Sequence, residues 1–250
     1  MGPTERQIRV LADLEELSRA AADELLSALS ARGEDSGAFR IALSGGSTPR
    51  WLYRLLAAPE FRDQLPWRRL HFFWGDERHV PPAHPDSNYK MAYEELLSKV
   101  PLPSENIHRI HGEDPDPQRA ARAYEEELRR TFNLRERELP RFDLVLLGLG
   151  PDGHTASLFP GKFEEEPNRL VSARWVSKLN QFRITLTLPV LNAAALALFL
   201  VAGEDKAQAL CRVLQPTSEA DALPAQRIRP TDGTVRWLVD RAAARLCPPA

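Results

Sequence analysis

The amino-acid sequence predicts an α/β fold whose largely parallel sheet is covered by helices on both faces. Three observations predict it. Short apolar runs of strand length recur along the chain, amphipathic segments of helix length lie between them, and several of the runs end in a glycine or polar loop that leads into the next helix. At 250 residues and 43% hydrophobic composition, the chain can bury a large core and is read as a single domain over 1–250.

Asp13 and Glu16 form a capping box ahead of Leu14, Leu17, Leu25, Leu26 and Leu29, so a helix is expected over about 13–31. "FRIALS" (39–44) reads as a buried strand, and Pro49 takes a first-turn position before the helical "RWLYRLLA". The same order returns in the strand "LHFFWG" (70–75), its polar loop and the amphipathic "NYKMAYEELLSKV". A helix over 117–132 then leads to the strand "FDLVLLG". Further on, "ITLTLPVLNAA" and "LALFLVAG" flank a short turn or helix, "EDKAQALCRVL" is helical, and "TVRWLVDRAAARL" is a last strand running into a terminal helix. Prolines gather in loops between Pro81 and Pro117 and mark a small excursion from the main sheet.

Charge and composition exclude several classes of partner. The formal net charge is -2, which supplies no field for nucleic acid or an anionic membrane, so any phosphate recognition must be local. The N-terminus lacks an apolar signal core and no segment reaches about 18 uninterrupted apolar residues, so a cytoplasmic protein is expected. Cys211 and Cys247 lie 36 positions apart in no metal-like spacing; two unlinked thiols in a reducing compartment are expected.

In parallel α/β sheets, ligands collect where loops leave the C-terminal ends of strands. The loop Ser44, Gly45, Gly46, Ser47, Thr48 offers close backbone approach, amides and hydroxyls for a phosphate. It lacks the Gly-Lys-Ser/Thr ending of a nucleotide P-loop, so a sugar phosphate suits it better than ATP; a plain turn capped by Ser47 or Thr48 fits it as well. Asp76, Glu77 and Arg78 follow directly on an apolar strand and are expected at the ligand rim, where a carboxylate handles hydroxyls or a proton and an arginine pairs with phosphate. Arg183, opening "RITLTL", and Lys206, in the first turn after "LFLVAGED", add cations if they reach the same rim.

"GLGPDGH" (148–154) carries the glycine spacing of a dinucleotide loop. A ribose-binding acid should close the next strand about 20 residues on. Here "RLVSARWVS" runs up to Lys178, while Glu164 to Glu166 come too early, so no dinucleotide cofactor is expected. What remains is Asp152, Gly153 and His154 at a strand-to-helix turn. A histidine titrates near neutrality and takes a proton from water, a nearby carboxylate fixes its tautomer, and amides of the glycine turn could stabilise an oxyanion. His108 and His111 with Glu113 lie in a short non-helical stretch without further ligands, so no metal is expected there. No G-x-S-x-G elbow occurs, which leaves activated water as the better nucleophile.

Taken together, "LSGGSTP", "GDERHVPPAHPDSN", "GLGPDGHTASLFPG" and "RITLT" followed by "GEDKA" resemble, in order and spacing, the 6-phosphogluconolactonases, within the wider group that includes glucosamine-6-phosphate deaminases. The likeness runs from about Ile41 to Ala207. It implies a three-layer, Rossmann-like α/β fold and hydrolysis of 6-phospho-D-glucono-1,5-lactone, the second step of the oxidative pentose phosphate pathway, without a cofactor. It implies His154 as the base that activates water against C1, with Asp152 or Asp76 orienting it or holding sugar hydroxyls. It implies the Gly45–Thr48 loop, Arg78, Arg183 and Lys206 as anchors for the 6-phosphate or for charge on the carbonyl. A monomer or weak homo-oligomer is expected. The deaminases typically have Asp-Glu-Tyr where this chain has Asp76-Glu77-Arg78, and Asn-Glu-Pro after the histidine where it has Ser157-Leu158-Phe159-Pro160. Both departures favour the lactonase over the deaminase. A non-catalytic sugar-phosphate sensor would normally carry a DNA-binding element and lose the acid and base, whereas Asp76 and His154 are both present.

Overall fold

The computed structural model describes residues 7–33, 36–161, 168–215, 218 and 221–247. In chain order they form β1 (Gln7–Leu11), α1 (Leu14–Arg32), β2 (Phe39–Leu43), α2 (Ser47–Ala57), α3 (Pro59–Arg62), β3 (Leu70–Trp74), β4 (Asp76–Arg78), α4 (Asn88–Glu95), α5 (Pro117–Thr131) and β5 (Leu144–Leu147). There follow β6 (Val171–Val176), β7 (Gln181–Leu186), α6 (Leu188–Leu191), β8 (Leu196–Val201), α7 (Ala207–Leu214), β9 (Thr234–Asp240) and α8 (Arg241–Ala244).

The main sheet has six parallel strands in the order β1-β9-β8-β5-β2-β3, the mostly parallel sheet expected of a Rossmann-like α/β fold. From β2 the chain moves outward to β3, and from β5 it moves the other way to β8 and β9. The order therefore reverses between β2 and β5, and a crevice opens beyond their C-terminal ends. β5 and β8 are buried along their whole length, as central strands covered on both faces must be.

Local signals set the helices. In α1, Asp13 Oδ1 accepts from the amides of Glu15 and Glu16, while Glu16 Oε2 accepts from Ala12 N–H. Leu17, Leu25 and Leu29 are buried, and Leu14 and Leu26 half-buried, along the face the spacing marks. α5 is capped by Asp116 and has Pro117 in its first turn, where the missing N–H costs nothing.

A three-stranded antiparallel sheet, β4-β7-β6, was not anticipated, nor was β1. Gly75 joins the two sheets: its N–H donates to Leu43 O in the main sheet (2.9 Å), and its carbonyl accepts from Leu186 N–H in the small one (2.8 Å). Between β4 and α5 the chain carries α4, which packs on α2, and returns to the sheet edge where Ile107 bridges Phe72.

The expectation of unlinked cysteines is wrong: Cys211 and Cys247 form a disulfide. α8 packs on α7 and brings the two Cα atoms to 5.1 Å, inside the usual bonding range, a proximity that a separation of 36 does not report. The pair thus no longer speaks for a reducing compartment. Among the described residues no helix is long and apolar enough to cross a membrane.

Candidate active site

Loops after β2, β3, β5 and β8 meet over the crevice and enclose an open cavity of about 310 Å³. Gly45, Gly46, Ser47, Thr48, Asp76, Arg78, His154, Arg183 and Lys206 all line it, so nine of the ten residues that the resemblance implies gather around one space. The tenth, Asp152, stands behind His154.

The turn after β5 explains its own glycines. Gly150 N–H donates to His154 O (2.8 Å) and Gly153 N–H to Gly150 O (2.9 Å), and Gly153 is left-handed at φ 86°. A Cβ on Gly150 would lie 1.9 Å from His154 Nδ1, so the imidazole packs flat on a backbone that must be bare. Of the three glycines that imitate a dinucleotide loop, Gly150 is kept bare by the histidine ring, whereas Gly153 answers to its left-handed φ and to Leu223. The amides of Gly150 and Gly153 are engaged within the turn and His154 N–H by Asp152 Oδ1 (3.1 Å), so these three are taken up by the turn itself.

Asp152 Oδ1 also meets His154 Nδ1 at 2.5 Å. An ionised carboxylate only accepts, so Nδ1 carries the proton and Nε2 keeps its lone pair for the cavity. Burial pushes His154 down to about 4; Lys206, Arg183 and Arg78 push the same way and Asp76 opposes them. The ring is neutral near pH 7, the form a general base needs. Phe159 packs beside it with ring centroids 4.4 Å apart.

In β4, side chains alternate between faces. Asp76 points to the cavity, where Oδ2 accepts from Ser157 Oγ (2.6 Å) and Oδ1 from Asn88 Nδ2 (3.3 Å). Glu77 points the opposite way, contrary to the expectation that the whole triplet emerges at the ligand rim. Its carboxylate accepts from the amides of Arg78, Asn88 and Tyr89 and from Ser87 Oγ, and so caps α4. Burial raises Glu77 while those amides lower it. Asp76 and Glu77 are both buried, and only Arg78 of the three is partly open.

Arg78 lies directly opposite Arg183 in the β4–β7 register. Arg78 donates to Asp86 O, while Arg183 Nη1 is buried with no hydrogen-bond partner among the described residues. Burial and the neighbouring Arg78 lower the Arg183 guanidinium. Like charges facing each other across strands destabilise a sheet, and this pair borders a cavity, an arrangement suited to an anion. Lys206, on the loop after β8, lines the same cavity and pairs with Asp205 at 2.8 Å.

The loop after β2 supplies backbone. Gly46 is left-handed (φ 105°) and caps α2 with no side-chain hydrogen bond, so Ser47 and Thr48 open the helix and are not its caps. A Cβ on Gly45 would lie 1.9 Å from Asn88 Oδ1. The N-terminus of α2, with two hydroxyls and first-turn amides, faces the cavity as an anion-binding end.

Sequence reasoning gave no role to Asn88 or Ser157, although both polar residues are buried and lock Asp76. Their burial beside "GDER" and "GH" depends on β4 pairing with β7, which no local pattern announced. The His108 stretch is structural: His108 Nδ1 meets Glu127 Oε1 at 2.7 Å and Nε2 meets His71 at 3.0 Å. Among the described residues no group of three or more His, Cys, Asp or Glu is placed to hold a metal ion.

This geometry sets a histidine and an arginine pair around one cavity at the switch point of a parallel sheet, the place where α/β scaffolds hold their ligands. Residues 12–237 match the family described as glucosamine-6-phosphate isomerases/6-phosphogluconolactonase, and the chain belongs to that family. A 6-phosphogluconolactonase from Nostoc sp. is 43% identical over 239 residues, covering 95% of this chain and 97% of its own. One from Haemophilus influenzae is 39% identical, covering 82% and 86%. Among solved structures, the Trypanosoma brucei 6-phosphogluconolactonase superposes with a TM-score of 0.87 at 32% identity, covering 98% of this chain and 99% of that one.

Proposed function

We propose that the chain hydrolyses the ring ester of 6-phosphogluconolactone with water activated by His154. The observation that carries this is the Asp152–His154 pair, which leaves Nε2 unprotonated at the cavity that Arg78 and Arg183 border. The lactone carbonyl is already electrophilic, so no cofactor is required. The 6-phosphate sits between the two arginines and the Gly45–Thr48 loop, and this anchoring brings C1 toward His154. Water attacks C1 while Nε2 takes its proton. The tetrahedral intermediate then breaks the bond from C1 to the ring oxygen, and the imidazolium returns the proton to that oxygen, which becomes the C5 hydroxyl. Lys206 eases the negative charge on the carbonyl oxygen, and Asp76, locked by Ser157 and Asn88, holds a sugar hydroxyl.

The test is an assay on freshly generated lactone, corrected for spontaneous opening, beside ammonia release from glucosamine 6-phosphate. Lactone turnover without ammonia supports the reading. Ammonia release without lactone turnover overturns it.

A further inference from the structure

The tip of the β6–β7 hairpin, Ser177 to Asn180, plays no part in the proposed hydrolysis, yet it reaches the catalytic turn. Asn180 is left-handed at φ 48° and closes the hairpin, which sets Leu179 on the lining of the cavity that holds His154 and Lys178 against the turn after β5. The Lys178 ammonium is half exposed and meets two groups of the turn after β5. One is Asp152 Oδ2, and the other is the face of Phe159, 4.4 Å from the ring centroid. Each of those groups touches His154: Asp152 through Oδ1 on Nδ1, and Phe159 through ring contact.

A carboxylate near the surface rotates freely unless both oxygens are engaged. Asp152 is about one-third exposed, and Lys178 is what holds its second oxygen. The other charged groups that bear on His154 are Asp76 and Arg78 from β4, Arg183 from β7 and Lys206 from the loop after β8. Among the described residues, Asp152 alone bonds a ring nitrogen of His154. The tautomer therefore hangs on one carboxylate, whose Oδ1 also accepts from the His154 amide (3.1 Å) and whose Oδ2 is held by one lysine of a different hairpin.

We propose that Lys178 is a positioning residue for the hydrolysis, fixing Asp152 so that His154 keeps its proton on Nδ1 and its lone pair on Nε2. The proposal rests on the reading of His154 as the base. Lys178 acts through Asp152 and not on the substrate, so its loss reduces the rate of the chemical step and leaves binding alone.

The experiment compares wild type with Lys178→Met and Lys178→Arg by steady-state kinetics and by ¹⁵N NMR of the His154 ring near pH 7. In Lys178→Met, kcat is expected to fall about tenfold with KM within about twofold, and the single Nδ1–H signal to become a mixture of tautomers. Lys178→Arg, which keeps a cation at that point, is expected to restore both. A wild-type tautomer and kcat in Lys178→Met would overturn the proposal. So would a raised KM at constant kcat, because that places Lys178 on the substrate. Near-normal turnover in His154→Ala would instead remove the base on which the proposal depends, whereas the tautomer signal of Lys178→Met is read without reference to turnover.

Discussion

Arg78 and Arg183 face each other in register across β4 and β7, and Arg183 Nη1 is buried with no acceptor among the described residues. Such a pair costs stability, and in the proposed reaction the substrate phosphate offsets that cost by lying between the two guanidiniums. Arg183→Met should raise KM for the phosphorylated lactone at least about tenfold, since a charge-assisted hydrogen bond is worth roughly 1.5–3 kcal/mol. The melting temperature without ligand should hold or rise, and its increase on adding 6-phosphogluconate should shrink. Kinetics and thermal melts with and without product check this; an unchanged KM contradicts it.

The acid limb of the pH profile follows from His154. The base works when neutral, and burial with three cations depresses its folded value to about 4. Activity is therefore retained as pH falls through 6.5 and is lost only as it falls through the depressed value. In kcat/KM, which reports the free enzyme, the acid limb should lie near 4. In kcat it should lie higher, because bound phosphate neutralises the arginines that help to hold the imidazole down. Coincident limbs near 6.5 would show that His154 is not depressed.

Asp152→Asn tests the tautomer from the other side. An amide can donate to Nδ1 and leave the proton on Nε2, so kcat should drop by roughly 10²- to 10⁴-fold. KM for the phosphorylated lactone should change little, because Asp152 does not line the cavity.

Much of this was legible in the chain, and the limits are physical. The parallel sheet could be read because central strands covered on both faces leave continuous apolar runs such as "LVLL" and "LALFLV". The site loops could be read because they follow those runs. The inward turn of Glu77 could not, since a three-residue strand carries no periodicity of its own and its pairing with β7 spans more than 100 positions. β1 was missed because four of its five residues are not buried, as suits an edge strand. The disulfide was missed because only the packing of α8 on α7 brings the cysteines together.

That bond supplies a stability prediction independent of the site. It links α7 to the residues after α8, closing a loop of 36 positions. Replacing both cysteines by serine should lower stability by about 2–4 kcal/mol. Denaturant unfolding of the oxidised protein and the double variant measures it, and equal midpoints would mean that the link contributes nothing.

Gly150→Ala probes the fit of ring to backbone. A methyl group 1.9 Å from His154 Nδ1 must push the imidazole away from Asp152. A displacement of about 1 Å at the base should cost roughly 10²-fold in kcat. Turnover at the wild-type rate would show that the ring does not depend on a bare backbone at this position.

The central claim is that His154 activates water against the lactone carbonyl. Its most direct measurement is the rate of 6-phosphogluconolactone hydrolysis by His154→Ala, corrected for spontaneous opening, with 6-phosphogluconate binding measured on the same preparation. Hydrolysis is expected to fall by roughly 10²- to 10⁴-fold while product still binds through the arginines and the Gly45–Thr48 loop. Hydrolysis near the wild-type rate, with the product bound as before, would contradict it.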